Sequence, residues 1–243
     1  MNYREFSEEC VRVFALNGFP TPNENELQRL FDLTEIMLEV NEKMNLTTIK
    51  EPSQIILKHY LDSVSVSKYI PEGARVIDIG CGAGFPSLPL AIFRPDLSIT
   101  PLDSTAKRIN YVSETAKKLG LSNITAIAAR AEDLARLPEH RESYDVAVAR
   151  AVADLPVLTE LCLPYVKVGG RFVAMKAAKG DDEYARAARA IELCGGGSSS
   201  IIQADLTSDG VELEKRRLII AEKVEKTPKI YPRNFSQISK KPL

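Results

Sequence analysis

The sequence predicts an α/β fold built on a mostly parallel sheet, and three observations lead to this prediction. From Arg75 onward, apolar segments with the length of buried strands alternate with segments of helical periodicity, as in βαβ units. The first apolar segment, 75–79, runs into a glycine-rich turn at 80–84. After 195–197, three consecutive glycines, the alternation stops and two strand-like segments follow each other. This order predicts an antiparallel pair that closes a parallel sheet.

The elements of this sheet are predicted in chain order. Short apolar runs mark the strands, and apolar residues at helical spacing mark the helices between them. The predicted strands are 75–79, 98–103, 123–128, 144–149, 170–176, 200–206 and 217–224. The predicted helices between them lie near 86–93, 105–119, 131–137, 153–166 and 181–193.

Two further segments flank the α/β part of the chain. Residues 1–70 carry apolar side chains at helical spacing and predict a helical region packed on the core. Residues 71–227 would form the α/β domain itself. Residues 228–243 contain prolines and basic side chains without periodicity, so we expect a basic, extended C-terminal arm.

Composition limits the class of protein. The 243 residues are 44% hydrophobic and 27% charged, which is ordinary for a globular protein. No apolar run is long enough to span a bilayer, and the first ten residues lack the apolar core of a signal peptide. The four cysteines include no CxxC pair, which argues against zinc and against a disulfide framework. We therefore expect a cytoplasmic monomer with no membrane contact and no metal.

The small net charge of −1 conceals a strong asymmetry. Residues 1–50 hold five basic and nine acidic side chains, a net charge of −4. Residues 215–243 hold nine basic and two acidic side chains, a net charge of +7. Segregated charge of this kind indicates an anionic partner such as a nucleic acid, and a solvated basic terminus is the alternative.

The glycine-rich turn carries the strongest chemical signal. It reads D-x-G-x-G-x-G from Asp78 to Gly84, whereas dinucleotide-binding turns read G-x-G-x-x-G and hold a pyrophosphate. The Asp78 carboxylate would repel phosphate and would suit a cationic ligand. S-adenosylmethionine carries a sulfonium and an ammonium group and has no phosphate. The turn therefore favours a methyltransferase, with a variant nucleotide loop as the alternative.

Two strand ends should complete an adenosine pocket beside this turn. Asp103 ends the second predicted strand, where a carboxylate can accept hydrogen bonds from ribose hydroxyls, although a helix N-cap is an alternative role. Arg130, Ala131, Glu132 and Asp133 follow the third strand, on the side expected for adenine. The acids there have a second explanation, because they would also stabilise a helix N-terminus.

Two cations end the next strands of the predicted sheet. Arg150 follows a very apolar strand, so packing does not explain it and we expect it to face the reaction site. Lys176 ends the fifth strand in the same way, with a side chain that extends to solvent as the alternative. His59 has Asp62 one turn later, and we interpret the two as a capping or core pair rather than as catalytic residues.

These motifs together resemble the bacterial RsmG family, also called GidB, over nearly the whole chain. The glycine motif is shared by many methyltransferases, whereas the other segments in this order are more specific. The matching segments are NEKMNLTTIKEP (41–52), KHYLDS (58–63), DIGCGAGFPSLPLA (78–91), LDSTAKR (102–108), ARAED (129–133), ARAVADL (149–155), FVAMKAAKGDDE (172–183), YPR (231–233) and KPL (241–243). The resemblance implies a class I S-adenosylmethionine methyltransferase fold. It also implies methylation of guanine N7 in 16S ribosomal RNA, free or in the small ribosomal subunit.

The resemblance implies roles for Gly80, Phe85, Ala131, Glu132, Arg150, Arg130 and Arg233, and the other site residues follow from their own positions in the sequence. The expected cofactor-binding residues are Asp78, Gly80, Gly82, Phe85, Asp103, Ala131, Glu132 and Arg150. Arg150 and Lys176 would position the reacting groups, and the expected RNA contacts are Arg130, Arg233, Lys240 and Lys241. The chain departs from the usual family pattern at Val40, Ser87 and the tail YPRNFSQISKKPL, where tryptophan, glycine and a YPRK form are common.

Guanine N7 has a lone pair and no proton, so the implied reaction requires no general base. Catalysis would depend on holding the acceptor and the methyl group in line. The alternatives are a methyltransferase for another substrate and a non-catalytic ribosome-assembly factor on the same fold. An NAD-linked reductase is disfavoured by Asp78 and by the spacing of the turn.

Overall fold

The computed structural model describes residues 1–178 and 180–243, and in this part of the chain seven strands form one sheet. The strand order is β3-β2-β1-β4-β5-β7-β6. Strands β1 to β5 pair in parallel, whereas β7 is antiparallel to β5 and β6 is antiparallel to β7. The strands are β1 Arg75–Ile79, β2 Ser98–Asp103, β3 Ile127–Ala128, β4 Tyr144–Arg150, β5 Val166–Lys176, β6 Gly196–Gln203 and β7 Arg217–Lys223. The predicted parallel sheet with an antiparallel closing pair is confirmed.

Helices cover both faces of this sheet. They are α1 Tyr3–Leu16, α2 Glu24–Met44, α3 Pro52–Ile55, α4 Asp62–Val64, α5 Ser87–Phe93, α6 Ala106–Lys118, α7 Ala131–Leu134, α8 Leu155–Cys162, α9 Gly180–Leu193 and α10 Phe235–Lys240. A π-helical turn, Ile56–Leu61, joins α3 to α4, and 3-10 turns occupy Ser67–Tyr69 and Leu163–Tyr165. None of the described helices is long and apolar enough to cross a membrane. Lys179, within the segment 172–183, lies outside the described residues.

Several predicted elements have different bounds in the structure. The sixth strand runs over Gly196–Gln203 rather than 200–206, and the helix predicted near 131–137 ends at Leu134. The third strand shortens to Ile127–Ala128, because the Asn123 side chain bonds to the Arg94 carbonyl oxygen at 3.2 Å and the backbone before Ile127 makes only an isolated bridge to β2. Helix α8 is shorter than predicted, with Pro156 in its first turn and Pro164 two residues after its end. Strand β5 begins at Val166 rather than at residue 170, because Val166 already pairs with Tyr144.

The N-terminal helices pack on the face of the sheet that carries Val76 and Val148. Phe6, Leu30 and Met37 are fully buried in the same apolar cluster as those two strand residues. This packing brings the π-helical turn, and with it Lys58 and His59, to the carboxyl edge of the sheet near β4.

The C-terminal segment is not extended throughout, so this expectation is wrong for residues 235–240. These residues form α10, and the Asn234 side chain caps the helix by accepting the Gln237 amide at 3.0 Å. Ile238 is fully buried in the apolar cluster on the second face of the sheet. A single buried residue in six leaves no apolar periodicity, which is why the pattern of the sequence does not indicate a helix there.

Candidate functional site

The glycine turn after β1 exposes backbone to a cleft at the carboxyl edge of the sheet. The amides of Gly80 and Cys81 both donate to the Leu102 carbonyl oxygen, at 2.7 and 3.0 Å, which ties the turn to β2. Gly80 has φ of +73°, and a Cβ atom there would lie 2.6 Å from the Val152 side chain. A side chain at this position would therefore be strained and would also clash with the segment after β4. Gly80 and Gly82 both line the cleft, as predicted for a cofactor turn.

Asp103 lies at the end of β2 and holds the turn from the other side. Its Oδ2 accepts the Gly82 amide at 3.1 Å and its Oδ1 accepts the Thr105 amide at 2.8 Å. Arg108 lies 3.5 Å from Oδ2 and is half exposed. Asp103 lines the cleft, so its carboxylate can accept hydrogen bonds from a ligand's hydroxyl groups while it also shapes the turn.

Asp78 lies beneath the turn and is 0% exposed. Its Oδ2 accepts hydrogen bonds from the Ser87 hydroxyl at 2.6 Å and from the Ser87 amide at 3.3 Å. Its Oδ1 has no hydrogen-bond partner among the described residues. Burial raises the pKa of Asp78 to about 6, and the Ser87 hydroxyl acts against this shift. The departure at Ser87 thus has a structural role, since it satisfies one oxygen of a buried carboxylate.

The far end of the cleft is formed by residues that follow β3. Ala131 and Glu132 begin α7 and line the cleft together with Arg130. Tyr165 donates its hydroxyl hydrogen to the Ala131 carbonyl oxygen at 2.6 Å, which fixes this segment to the core. The residues predicted to bind adenine therefore line the same cleft as Asp103, as the strand order requires. Phe235 also lines the cleft here, and the non-periodic tail gave no indication of this.

His59, Phe85 and Arg150 meet at the near end of the cleft. The His59 and Phe85 rings are stacked with centroids 4.5 Å apart and an angle of 13° between their planes. The Arg150 guanidinium carbon lies 5.2 Å from the Phe85 centroid. The Nε2 atom of His59 lies 2.9 Å from the Thr47 hydroxyl, whereas buried Nδ1 has no partner among the described residues. Burial, with the nearby Arg150 charge, lowers the pKa of His59 to about 3, so the ring is neutral.

Arg150 is held by the N-terminal helices rather than by the sheet. Its Nη1 atom donates to the Lys58 carbonyl oxygen at 2.9 Å and to Asp62 Oδ2 at 3.1 Å. The other carboxylate oxygen of Asp62 accepts from Arg216 Nε at 3.1 Å. Asp62 is therefore an ion-pair partner of two arginines, and the interpretation of His59 and Asp62 as a mutual pair is replaced by this arrangement.

A second cavity of about 650 Å³ adjoins the first, which measures about 430 Å³. His59, Arg150 and Ala151 line both of them. Ala151 has φ of +55°, a conformation that a non-glycine residue rarely adopts and that is typical of functional sites.

Lys176 lines the second cavity and not the first. Its Nζ atom donates to the Ala153 carbonyl oxygen at 2.5 Å and pairs with Glu183 at 2.6 Å. The side chain is 8% exposed, so it does not extend to solvent. Lys176 holds the segment after β4 in place, which leaves Arg150 as the cation at the junction of the two cavities.

The predicted RNA-contact residues fall into two groups. Arg130, Lys240 and Lys241 are exposed. Arg233, in contrast, pairs with Glu160 at 2.6 Å, and the Glu160 side chain is fully buried. The structure thus gives Arg233 a structural contact in addition to any contact with RNA.

The residues around the first cleft fit an adenosine cofactor without phosphate. Exposed glycine backbone and the Asp103 carboxylate offer donors and acceptors to the polar groups of such a ligand. Asp78, expected to bind the cofactor, is fully buried against Ser87 and does not line the cleft, so the structure gives it a contact with the start of α5 instead. The volume of about 430 Å³ lies in the range of small-molecule sites, roughly 300–1,000 Å³. No group of histidine, cysteine and acidic side chains arranged to hold a metal ion occurs in the described part of the chain.

Solved structures share this architecture. A SAM-dependent methyltransferase from Aquifex aeolicus is similar with a TM-score of 0.54 and 17% identity, over 80% of this chain and 100% of that one. TYW2 of M. jannaschii, solved in complex with AdoMet, gives a TM-score of 0.53 and 17% identity over 68% and 75%. The protein therefore has the class I methyltransferase fold.

Sequence comparison defines the family. The model of the GidB family, described as rRNA small subunit methyltransferase G, matches residues 26–209. A ribosomal RNA small subunit methyltransferase G from Desulforamulus reducens is 45% identical over 88% of this chain and 93% of its own. The protein of that name from Clostridium novyi is 39% identical over the full length of both chains. The chain belongs to the GidB family of small-subunit ribosomal RNA methyltransferases.

Proposed function

We propose that this protein transfers a methyl group from S-adenosylmethionine to N7 of a specific guanine in 16S ribosomal RNA. Family membership supports the cofactor and the small-subunit RNA. The observation that favours N7 as the acceptor atom is the chemistry of the residues where the two cavities meet. The neutral imidazole of His59 and the ion-paired guanidinium of Arg150 line both cavities there.

The two ends of the first cleft would bind different parts of the cofactor. Gly80 and Gly82 offer backbone to the amino-acid end of the cofactor, and Asp103 accepts hydrogen bonds from the ribose. Ala131 and Glu132 bind the adenine end. When bound, S-adenosylmethionine supplies an electrophilic methyl group. Asp78 lies below the turn and outside the lining of the cleft, so it supports the cofactor site through its hydrogen bonds to Ser87.

The junction suits an acceptor atom that has no proton to lose. The imidazole of His59 has a pKa of about 3 and is therefore a weak base. Burial also raises the pKa of the Cys81 thiol, so Cys81 is a poor nucleophile. Asp62 is occupied by two arginines. Guanine N7 carries a lone pair without a proton, so it needs positioning rather than deprotonation.

The second cavity would receive the guanine. Arg150 lines both cavities and can donate to the O6 atom, which neighbours N7 on the same edge of the base. Its guanidinium is preorganised by Asp62 and by the Lys58 carbonyl oxygen, which limits the cost of ordering it during the reaction. Lys176 acts as a positioning residue through the segment that contains Ala151 and Ala153.

Exposed cations line the cleft and follow its aromatic residue along the chain. Arg108 and Arg130 line the cleft, Lys240 is the last residue of the helix that begins with Phe235, and Lys241 follows it. These charges would bind phosphates, so the affinity for RNA should fall steeply with salt. Because the groove of A-form RNA that displays N7 is deep and narrow, the target guanine must be unpaired or flipped out of its stack.

Mapping of 16S RNA by mass spectrometry tests this proposal. RNA from a strain without the gene should lack one 7-methylguanosine, and the gene supplied in trans should restore it. An Arg150→Ala gene should fail to restore it at equal protein level. We expect the active protein to be a cytoplasmic monomer, which size-exclusion chromatography and fractionation would check.

Three outcomes would contradict the proposal in different ways. Retention of every 7-methylguanosine, with loss of another methylated nucleoside, would show that the acceptor atom is wrong. Unchanged ribosomal RNA would favour a different substrate. Restoration of ribosome assembly by the Arg150→Ala gene, without methylation, would favour a non-catalytic assembly factor.

A further inference from the structure

The adenine end of the cleft contains an aromatic side chain that the C-terminal segment supplies. Phe235, the first residue of α10, lines the cleft next to Arg130, whose guanidinium carbon lies 5.8 Å from the Phe235 centroid. The ring is 40% exposed, which is high for a phenylalanine in a structure with a large buried core. Its exposed surface is therefore available to a ligand in the cleft.

The position of Phe235 is fixed by the fold. Ile238, three residues later, is fully buried, and Arg233 pairs with the buried carboxylate of Glu160. Arg136 and Arg141 donate to the carbonyl oxygens of residues 232 and 231, at 2.5 and 3.0 Å. The residues on either side of Phe235 are therefore anchored to the domain, and the ring is held at the rim without being buried.

We propose that Phe235 forms an aromatic wall against the adenine ring of the cofactor. Adenine is a flat aromatic ring, and bases of this kind stack favourably on aromatic side chains. The segment 129–132 follows β3, beside the ribose-binding position of Asp103, so the ring beside Arg130 lies where adenine must lie. The tail of the sequence is thus part of the cofactor site as well as a source of basic charge.

A tryptophan reporter tests this contact without any measurement of activity. The chain contains no tryptophan, so Phe235→Trp introduces a single fluorophore at the wall. Titration with S-adenosylhomocysteine should change its emission in a saturable way, at the dissociation constant that calorimetry gives. The control is Val211→Trp, since Val211 is 83% exposed in a surface loop and does not line the cleft. Its emission should not change.

Calorimetry of three further variants measures the contribution of the ring. Phe235→Ala should raise the dissociation constant for S-adenosylhomocysteine about tenfold, which is 1.4 kcal/mol. Phe235→Tyr should stay within about twofold of wild type, because it keeps the aromatic face. Phe235→Leu should resemble the alanine variant, because it keeps apolar bulk but not the flat ring. Thermal melts of each variant show whether the fold is retained.

The inference rests on the proposed cofactor and not on the identity of the methylated base. Wild-type affinity in Phe235→Ala, together with no emission change in Phe235→Trp, would overturn it. An emission change only after addition of 16S RNA would also overturn it, since the ring would then stack on the substrate. Failure of the wild-type protein to bind S-adenosylhomocysteine would instead refute the proposed function.

Discussion

The ion pair between Arg233 and Glu160 allows a quantitative prediction that separates a structural role from RNA binding. Three hydrogen bonds run from the Arg233 side chain to the Glu160 carboxylate, at 2.6, 2.9 and 3.1 Å, and the Arg233 amide adds a fourth at 2.7 Å. Arg233→Ala removes the guanidinium and leaves the amide as the remaining donor of this set. We expect the variant to be strongly destabilised.

The magnitude follows from the burial of the carboxylate. Removal of one partner from a buried ion pair costs roughly 3–5 kcal/mol, because the remaining charge is buried without compensation. The Glu160 side chain is 0% exposed, whereas that of Arg233 is 21% exposed, so the lower end of this range applies. We therefore expect Arg233→Ala to lower the free energy of unfolding by about 3 kcal/mol. For a chain of this size that is a decrease in Tm of about 6–12 °C.

Urea denaturation at pH 7 and thermal melts provide the assay. Lys240→Ala is the matched control for stability, since Lys240 is exposed on the helix that follows Arg233, and its free energy of unfolding should change by less than about 0.5 kcal/mol. Addition of Glu160→Gln to Arg233→Ala should recover part of the loss, because a buried amide costs less than a buried carboxylate. An Arg233→Ala protein with wild-type stability and weak RNA binding would refute this reasoning and would assign Arg233 to the RNA interface.

Three further predictions concern residues in and beneath the two cavities. Arg150→Ala should lower the rate of methylation about 10- to 100-fold, since it removes a charge-assisted contact, while Arg216 continues to pair with Asp62 and the melting curve changes little. Single-turnover kinetics would check this, and a wild-type rate would exclude the role. Asp78→Asn should weaken S-adenosylhomocysteine binding in calorimetry. Burial raises the pKa of Asp78 to about 6, so the free energy of unfolding of the wild type should fall relative to that of Asp78→Asn as the pH rises from about 4 to 6. Urea titrations of both proteins at pH 4 and pH 6 measure this difference. Equal pH dependence of the two proteins would contradict the burial of the carboxylate. The pKa of His59 is lowered to about 3, so its imidazole should remain neutral in NMR spectra down to pH 5, and its contribution to stability should decline as the pH falls from about 6.5 towards 3. A protonation midpoint near 6.5, assigned to His59 with a His59→Gln variant, would contradict the buried position.

Local patterns predicted the part of the site that lies at the ends of the first two strands, β1 and β2. The turn at Gly80 and Gly82 and the acid at Asp103 could be located because parallel strands bring their carboxyl ends to one edge. The strand order alone does not predict which way the Asp78 side chain points. Whether that carboxylate faces the cleft or the start of α5 depends on Ser87, and the pairing of these two residues is a matter of packing.

The rest of the site depends on how distant segments dock. His59 and Asp62 reach the junction only because the N-terminal helices pack on the sheet, and no local spacing encodes that docking. Phe235 reaches the cleft because Ile238 and Arg233 anchor a six-residue helix too short to show periodicity. The KHYLDS segment around His59 indicates the family, but it does not predict which residues its side chains contact.

The most direct test of the proposed reaction is a methylation assay with purified protein. Wild-type protein, methyl-labelled S-adenosylmethionine and 16S RNA, either free or in small-subunit particles from a strain without the gene, should give labelled 7-methylguanosine after digestion to nucleosides. About one methyl group should be incorporated per RNA, and Arg150→Ala at the same protein concentration should incorporate label about 10- to 100-fold more slowly. Label in any other nucleoside, or no label in RNA from a protein that binds S-adenosylhomocysteine, would contradict the assignment of guanine N7.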